Sequence, residues 1–218
     1  MNKSLSDILY TQRYFLIPFL ILMITGFSLM LLFAKADLFL LINSRHTAFF
    51  DHFFKLNTWL GDGWMTIVVT TGMLVFKYRY AVLTALAYAY SSLTVQIFKI
   101  LFNAPRPVKF FEDIAPIRTI DGYTMHEWNS FPSGHTASAF TLAVVLSYIL
   151  PYKYSHWILI PVAALTAFSR VYLAQHFMED IIAGALLAVI MTFQLIWWLE
   201  NTKWYHSQKL DGSLFGKA

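Results

Sequence analysis

The sequence predicts an all-α protein: a bundle of six transmembrane helices, with a short interfacial helix between the first two spans. Three observations support this prediction. Of the 218 residues, 58% are hydrophobic and only 13% are charged, which is too apolar for an ordinary soluble domain of this size. Stretches with few or no charges recur along the chain, and their lengths suit helices that cross a bilayer. Several tryptophans lie near the ends of these stretches, where aromatic belts occur.

The predicted spans fill most of a single membrane domain, residues 1–218. They lie at 14–34, 57–76, 80–101, 133–150, 155–170 and 178–199, and a polar tail follows at 201–218. The first stretch is too long for the apolar part of a signal peptide and has no clear small-residue cleavage site, so we expect it to be a retained span.

The loop at 35–55 contains the predicted interfacial helix. Phenylalanines recur there at helical spacing, opposite polar side chains, at positions Phe49, Phe50, Phe53 and Phe54. This pattern predicts a helix in the headgroup layer, either as a plain connector or as a guide for lipid.

An even number of spans places both termini on one side and the loops 35–55, 103–131 and 170–180 on the other. Lysine and arginine divide evenly between the two sides. Lys99, Arg106 and Arg170 are candidates for a functional site. When they are set aside, more of the remaining lysines and arginines lie on the side of the termini, which favours cytoplasmic termini. We therefore expect a multi-pass protein of the cytoplasmic (inner) membrane, with the lipid bilayer as its partner. The net charge of +4 requires no nucleic-acid partner.

Ionisable residues collect at span ends on the side opposite the termini. Such groups are costly near hydrocarbon and are therefore candidates for function: Lys99, Arg106, His135, Arg170, His176 and Asp180. Singly, each has an ordinary explanation as a capping or snorkelling side chain. Three separate segments that bring all of them to one membrane face are much harder to explain by chance.

The residue types at these positions suit phosphate chemistry. Ser133 is a candidate N-cap and Gly134 allows close approach to the backbone, so the start of the fourth span offers an anion site. Lys99, Arg106 and Arg170 add positive charge. His176 and Asp180 are four residues apart on one helix face, so the carboxylate can orient the imidazole as a nucleophile. Arg170 is off that face, so the chain must turn between Arg170 and His176. His135 remains as an acid.

Together these segments resemble the three-part signature of the type-2 phosphatidic acid phosphatase superfamily, over positions 99–180. Its parts are Lys99 with "RP" at 106–107, "PSGH" at 132–135, and "SR" at 169–170 followed by His176 and Asp180. The resemblance implies that His176 attacks phosphorus to form a phosphohistidine, that Asp180 orients it, and that His135 protonates the leaving oxygen and then activates water. It further implies a phosphate clamp made of Lys99, Arg106, Ser133, Gly134 and Arg170.

The resemblance also implies a metal-independent enzyme without a cofactor, with its active site on the outer, periplasmic face. Its substrate would be a phosphorylated membrane lipid: undecaprenyl diphosphate, phosphatidylglycerol phosphate, phosphatidate or lipid A. We expect broad specificity, with undecaprenyl diphosphate as the favoured single substrate. The alternative is a catalytically inactive lipid-phosphate binding or transport protein of the same fold. A vanadate haloperoxidase is disfavoured because those relatives are soluble. The loop 103–131 either selects the headgroup or is a passive connector, and no pattern specifies an oligomeric state.

The other histidines show no metal-ligand spacing with carboxylates, so we predict no metal site and expect these residues at the surface or interface: His46, His52, His126, His156 and His206.

Overall fold

The computed structural model describes residues 3–150 and 156–216, and within them the chain is all-helical, as predicted. Short 3₁₀ turns occupy Thr58–Gly61 and Gln208–Leu210. The α-helices are α1 (Leu5–Thr11), α2 (Arg13–Leu32), α3 (Lys35–Asn43), α4 (Ala48–Asn57), α5 (Gly63–Phe76), α6 (Tyr78–Phe102), α7 (Pro107–Phe110), α8 (Gly134–Ile149), α9 (His156–Tyr172) and α10 (Met178–Glu200).

Three of the described helices, α2, α6 and α10, are long and apolar enough to cross a membrane. Helix α5 and the helical segment Ala48–Gly61 before it meet at a 54° bend and could together form a fourth span. Helices α8 and α9 are apolar but shorter. The six predicted spans overlap α2, α5, α6, α8, α9 and α10, but α5 begins at Gly63, six residues after the predicted start of its span, and residue 155 lies outside the described residues. Helix length supports three or four spans, and the count of six stays a prediction.

Close backbone contacts place the first residues of α8. A Cβ atom added at Gly184 of α10 would lie 2.6 Å from the carbonyl oxygen of Ser133. A Cβ atom added at Gly61 would lie 2.6 Å from the carbonyl oxygen of His135. Glycine is therefore needed at both positions for α10 and the turn before α5 to pack against α8.

Helix α4 lies where the interfacial helix was predicted. Thr47 caps it by accepting a hydrogen bond from the Phe50 N–H. Phe49 is 71% exposed, whereas Phe54 is buried against Tyr172, with ring centroids 4.6 Å apart. The helix is amphipathic as expected, and its depth in a membrane stays a prediction.

His46 was expected at the surface or at the membrane interface, and the structure rules out the first because its side chain is 1% exposed. The ring stacks on Tyr172, with centroids 4.1 Å apart. Its Nδ1 lies 2.8 Å from Oδ1 of Asp51, and that oxygen also accepts a hydrogen bond from the Tyr172 hydroxyl. An interfacial position stays a prediction.

Candidate active site

A cavity of about 500 Å³ lies where the end of α6, the start of α8 and the turn between α9 and α10 meet. It brings together most of the site residues expected from the sequence: Lys99, Arg106, Gly134, His135, Arg170 and His176. Ser133 and Asp180 stand behind its wall, and both are buried. Among these expected site residues, Lys99 and His176 are 77 positions apart and share one cavity.

The turn between α9 and α10 carries the candidate nucleophile. Ala174 has φ 54°, in the left-handed region, which reverses the chain direction. The carbonyl oxygen of Arg170 accepts hydrogen bonds from the N–H groups of Gln175 (2.9 Å) and His176 (3.1 Å). This is the turn that the spacing of Arg170 and His176 required, and it points both side chains into the same cavity.

His176 is paired with Asp180 behind the cavity wall. Its Nδ1 lies 3.3 Å from Oδ2 of Asp180 and 3.4 Å from the hydroxyl of Ser130. The same carboxylate oxygen accepts hydrogen bonds from the Ser130 hydroxyl (2.6 Å) and from the Phe177 N–H (2.8 Å). With Nδ1 directed at the carboxylate, Nε2 is the nitrogen available for chemistry. The carboxylate in turn is fixed by two donors.

Burial, together with the nearby charges of Arg106, Arg170 and Lys99, lowers the pKa of His176 well below the ordinary histidine value. The ring is only 1% exposed. It is therefore neutral at physiological pH and retains the lone pair that a nucleophile needs.

Ser133 caps helix α8, as predicted. Its hydroxyl oxygen accepts hydrogen bonds from the Thr136 N–H (3.4 Å) and the Thr136 hydroxyl (2.9 Å), and its own N–H donates to the carbonyl of Asp180 (2.9 Å). Gly134 follows as the first residue of α8 and lines the cavity, and an added Cβ would find its nearest neighbour, Cε of Lys99, 4.0 Å away. The positive end of α8 therefore faces the cavity.

Two of the cations are held by the loop before α8. The Lys99 ammonium donates to the carbonyl of Asn129 (2.6 Å), and Nε of Arg106 donates to the carbonyl of Trp128 (3.0 Å). Nη1 of Arg106 also donates to Oε1 of Gln175 (3.0 Å). The loop therefore sets the direction of both side chains.

Arg170 is held by the same loop and by the turn before α5. Its Nη1 donates to the hydroxyls of Thr58 (2.7 Å) and Tyr123 (2.6 Å). The guanidinium is almost fully buried, so a delocalised cation faces the cavity with little freedom to move.

Sequence reasoning did not identify four residues that hold these groups: Thr58, Tyr123, Ser130 and Gln175. Nothing in the spacing distinguishes them, although Tyr123 and Ser130 lie in the loop 103–131. That loop supplies part of the cavity wall through Gly122, Tyr123, Thr124 and His126. His126 is exposed as expected, yet it also lines the cavity, and burial and the three cations lower its pKa.

Within residues 3–150 and 156–216, no group of three or more His, Cys, Asp or Glu is placed to hold a metal ion. Metal independence stays a prediction, because it concerns the reaction.

Comparison with known proteins agrees with this geometry. Residues 80–204 match the family model described as the PAP2 superfamily, and the chain belongs to that superfamily. This confirms the resemblance found in the sequence.

The chain is also similar to individual proteins, two of which are named as lipid phosphatases. The chain is 29% identical to a lipid A 4'-phosphatase of Porphyromonas gingivalis over 168 residues, 72% of this chain and 69% of that protein. It is 27% identical to phosphatidylglycerophosphatase B of Bacillus subtilis over 140 residues, 59% of this chain and 63% of that protein. The crystal structure of Aquifex aeolicus LpxE superposes with a TM-score of 0.68 at 32% identity and covers 75% of this chain and 96% of that one.

Proposed function

We propose that this chain is a membrane lipid phosphatase, a hydrolase that removes the terminal phosphate of a phosphorylated lipid through a phosphohistidine. The observation that carries the proposal is His176, which lines a cavity with three cations while Asp180 contacts its Nδ1. The relatives support the substrate class, since two are named for phosphatase activity on lipid A and on phosphatidylglycerol phosphate.

Binding of the phosphate uses fixed charges. Lys99, Arg106 and Arg170 all line the cavity, and the N-terminus of α8, capped by Ser133 and opened by Gly134, provides backbone N–H donors. These groups stabilise the negative charge on the phosphoryl oxygens in the transition state. They supply the positive charge that a metal ion would otherwise supply, so we propose a metal-independent reaction without a cofactor.

In the first step, Nε2 of His176 attacks phosphorus and the bond to the lipid oxygen breaks. His135 gives its proton to that oxygen, so the lipid leaves as an alcohol or, from a diphosphate lipid, as a monophosphate. Asp180 holds Nδ1–H and stabilises the positive charge that develops on the ring. In the second step, His135 removes a proton from water, which attacks phosphorus and releases inorganic phosphate and free His176.

We further propose the membrane arrangement given by the sequence: six spans, an interfacial α4, both termini in the cytoplasm and the site on the periplasmic face of the inner membrane. The position of the site at the ends of α6, α8, α9 and α10 supports it. At headgroup depth a lipid phosphate can react while its tails stay in the bilayer.

The test is phosphate release from a panel of lipids by purified protein in detergent, with EDTA present. The panel contains phosphatidate, phosphatidylglycerol phosphate, a lipid A phosphate and undecaprenyl diphosphate. We expect release that is insensitive to EDTA and is lost in His176→Ala, while His206→Ala, which changes a histidine outside the cavity, keeps it. If no lipid is hydrolysed although phosphorylated lipid binds, the inactive binding or transport alternative replaces this proposal.

A further inference from the structure

A second cavity, of about 200 Å³, adjoins the phosphate cavity. The two share Gln96, Gly134 and His135. The second cavity lies between the turn before α5, the middle of α6 and the first two turns of α8. His135 lines both, so the group that would protonate the leaving oxygen lies at the junction. A leaving group that accepts a proton from His135 would therefore lie at the entrance to the second cavity.

The wall contributed by α6 is a polar stripe. Tyr88, Ser92 and Gln96 line the second cavity, and Lys99 continues the same face into the phosphate cavity. Their spacing of four, four and three residues places them on one side of the helix, over about 16 Å.

Apolar side chains flank this stripe: Leu93, Ile97 and Ile100 are 62%, 49% and 78% exposed, which suits contact with lipid tails. Tyr90, an exposed polar residue elsewhere on α6, hydrogen-bonds Gln194 of α10 (3.0 Å). Gln96 is exposed beside the apolar side chains. An amide facing hydrocarbon would be costly, so a polar group on this side of α6 fits a polar ligand that lies against it.

The charges of the two cavities differ. Lys99, Arg106 and Arg170 all line the phosphate cavity, whereas no Lys, Arg, Asp or Glu is among the described residues that line the second one. Asp62 lines the phosphate cavity, and its neighbours in sequence, Gly61 and Gly63, line the second cavity. A phosphate in the second cavity would therefore meet no additional cation, and the carboxylate of Asp62 would add repulsion beside it.

We infer that the second cavity receives the group esterified to the phosphate, and that it selects a neutral, hydroxyl-bearing group, a sugar or a glycerol, over a group that carries a further phosphate. The inference rests on the proposed function. The hydroxyls of Tyr88 and Ser92 and the amide of Gln96 are donors and acceptors suited to alcohol groups. The favoured substrates are thus monoesters on sugar or glycerol lipids. Polyprenyl diphosphates are poor ones, which replaces the sequence-based expectation that undecaprenyl diphosphate is the favoured single substrate.

The experiment compares kcat/KM for three lipids in matched detergent micelles: phosphatidate, a glucosamine-disaccharide lipid phosphate and a polyprenyl diphosphate. We expect the wild type to favour the two neutral leaving groups by about tenfold or more. Asp62→Asn removes the carboxylate charge and keeps a residue that caps α5. Gln96→Lys adds a cation at the junction. Each variant should raise kcat/KM for the diphosphate, relative to kcat/KM for the other two lipids, by about tenfold.

Ile97→Lys is the matched control, because it adds the same charge one residue further along α6, about 100° around the helix. It should leave the ratio at its wild-type value. A wild-type ratio that favours the diphosphate, or ratios unchanged in Asp62→Asn and Gln96→Lys, overturns this inference while the phosphatase proposal stands. Failure of the wild type to hydrolyse any of the three lipids overturns both.

Discussion

The hydroxyl of Ser130 donates a 2.6 Å hydrogen bond to Oδ2 of Asp180. The same oxygen lies 3.3 Å from Nδ1 of His176, so a residue of the loop before α8 helps to position the carboxylate behind the candidate nucleophile. Ser130 and Asp180 are each only 1% exposed. The loop therefore contacts the candidate site directly, and its role in the reaction stays a prediction.

Loss of the Ser130 hydroxyl should lower kcat because Asp180 loses a fixed donor. We expect Ser130→Ala to reduce kcat by about ten- to thirtyfold, roughly 1.4–2 kcal/mol, and Asp180→Asn to reduce it roughly a thousandfold. Steady-state phosphate release measures both. Ser28→Ala is the control, since Ser28 is exposed on α2 and donates only to its own helix at Ile24. Equal rates for Ser130→Ala and Ser28→Ala would show that the loop hydroxyl has no role.

The activity at low pH should depend on Arg106. Burial first, and then Arg106, Arg170 and Lys99, lower the pKa of His176, so the neutral nucleophile persists below the ordinary histidine pKa. Replacing Arg106 by Gln removes a repelling charge and raises that pKa. More imidazole is then protonated as the pH falls, so kcat/KM of the variant divided by that of the wild type should decrease between about pH 7 and pH 5.

Taking this ratio cancels the ionisation of the substrate phosphate. Lys203→Gln, which removes an exposed cation outside the cavity, should give a ratio that does not change with pH. A flat ratio for Arg106→Gln as well would contradict the assigned effect of the cation on His176.

Two helix glycines should respond oppositely to substitution by alanine. At Gly184 the new methyl group would lie 2.6 Å from the carbonyl oxygen of Ser133, so α8 or α10 must shift, at a cost of about 1–3 kcal/mol. At Gly72 nothing lies within 4 Å, and alanine should be neutral or stabilise by about 0.5–1 kcal/mol. Thermal unfolding in detergent should show a lower Tm only for Gly184→Ala, together with loss of activity. Similar Tm values for the two variants would argue against the tight contact.

Loss of His135 should trap the phosphorylated enzyme. With p-nitrophenyl phosphate the leaving group needs little protonation, so His135→Gln should still form the phosphohistidine but hydrolyse it slowly. Rapid mixing should show a burst of nitrophenolate close to one equivalent of enzyme, and the protein should retain base-stable label from radioactive phosphate. His176→Ala should give neither signal. A burst in His176→Ala would mean that another residue is the nucleophile.

The helices were predictable because apolar stretches are local patterns, and the convergence of the site followed because the motifs lie at span ends that share one membrane face. Apolar stretches mark α2, α6 and α10, and short motifs at helix ends mark Lys99, Ser133 and His176. The start of α5 was not predictable from hydropathy: Asp62 caps it by accepting a hydrogen bond from the Trp64 N–H, after a bend that interrupts the predicted span.

Contacts between residues far apart in the sequence could not be predicted either. Ser130 and Asp180 are 50 residues apart, and Arg170 and Tyr123 are 47 apart. The loop that supplies Ser130 and Tyr123 has no periodicity that would fix its path. His46 reads as a surface residue because only the folded chain places the ring of Tyr172 against it.

The backbone oxygens of Asn129 and Trp128 accept hydrogen bonds from Lys99 and Arg106. A lysine ammonium has three N–H donors and a guanidinium has five, so donors remain for an arriving phosphate while the main-chain oxygens keep both side chains in place. The freedom of these side chains is then lost on folding and not when the substrate binds. We therefore expect little rearrangement of Lys99 and Arg106 between the empty and the occupied site.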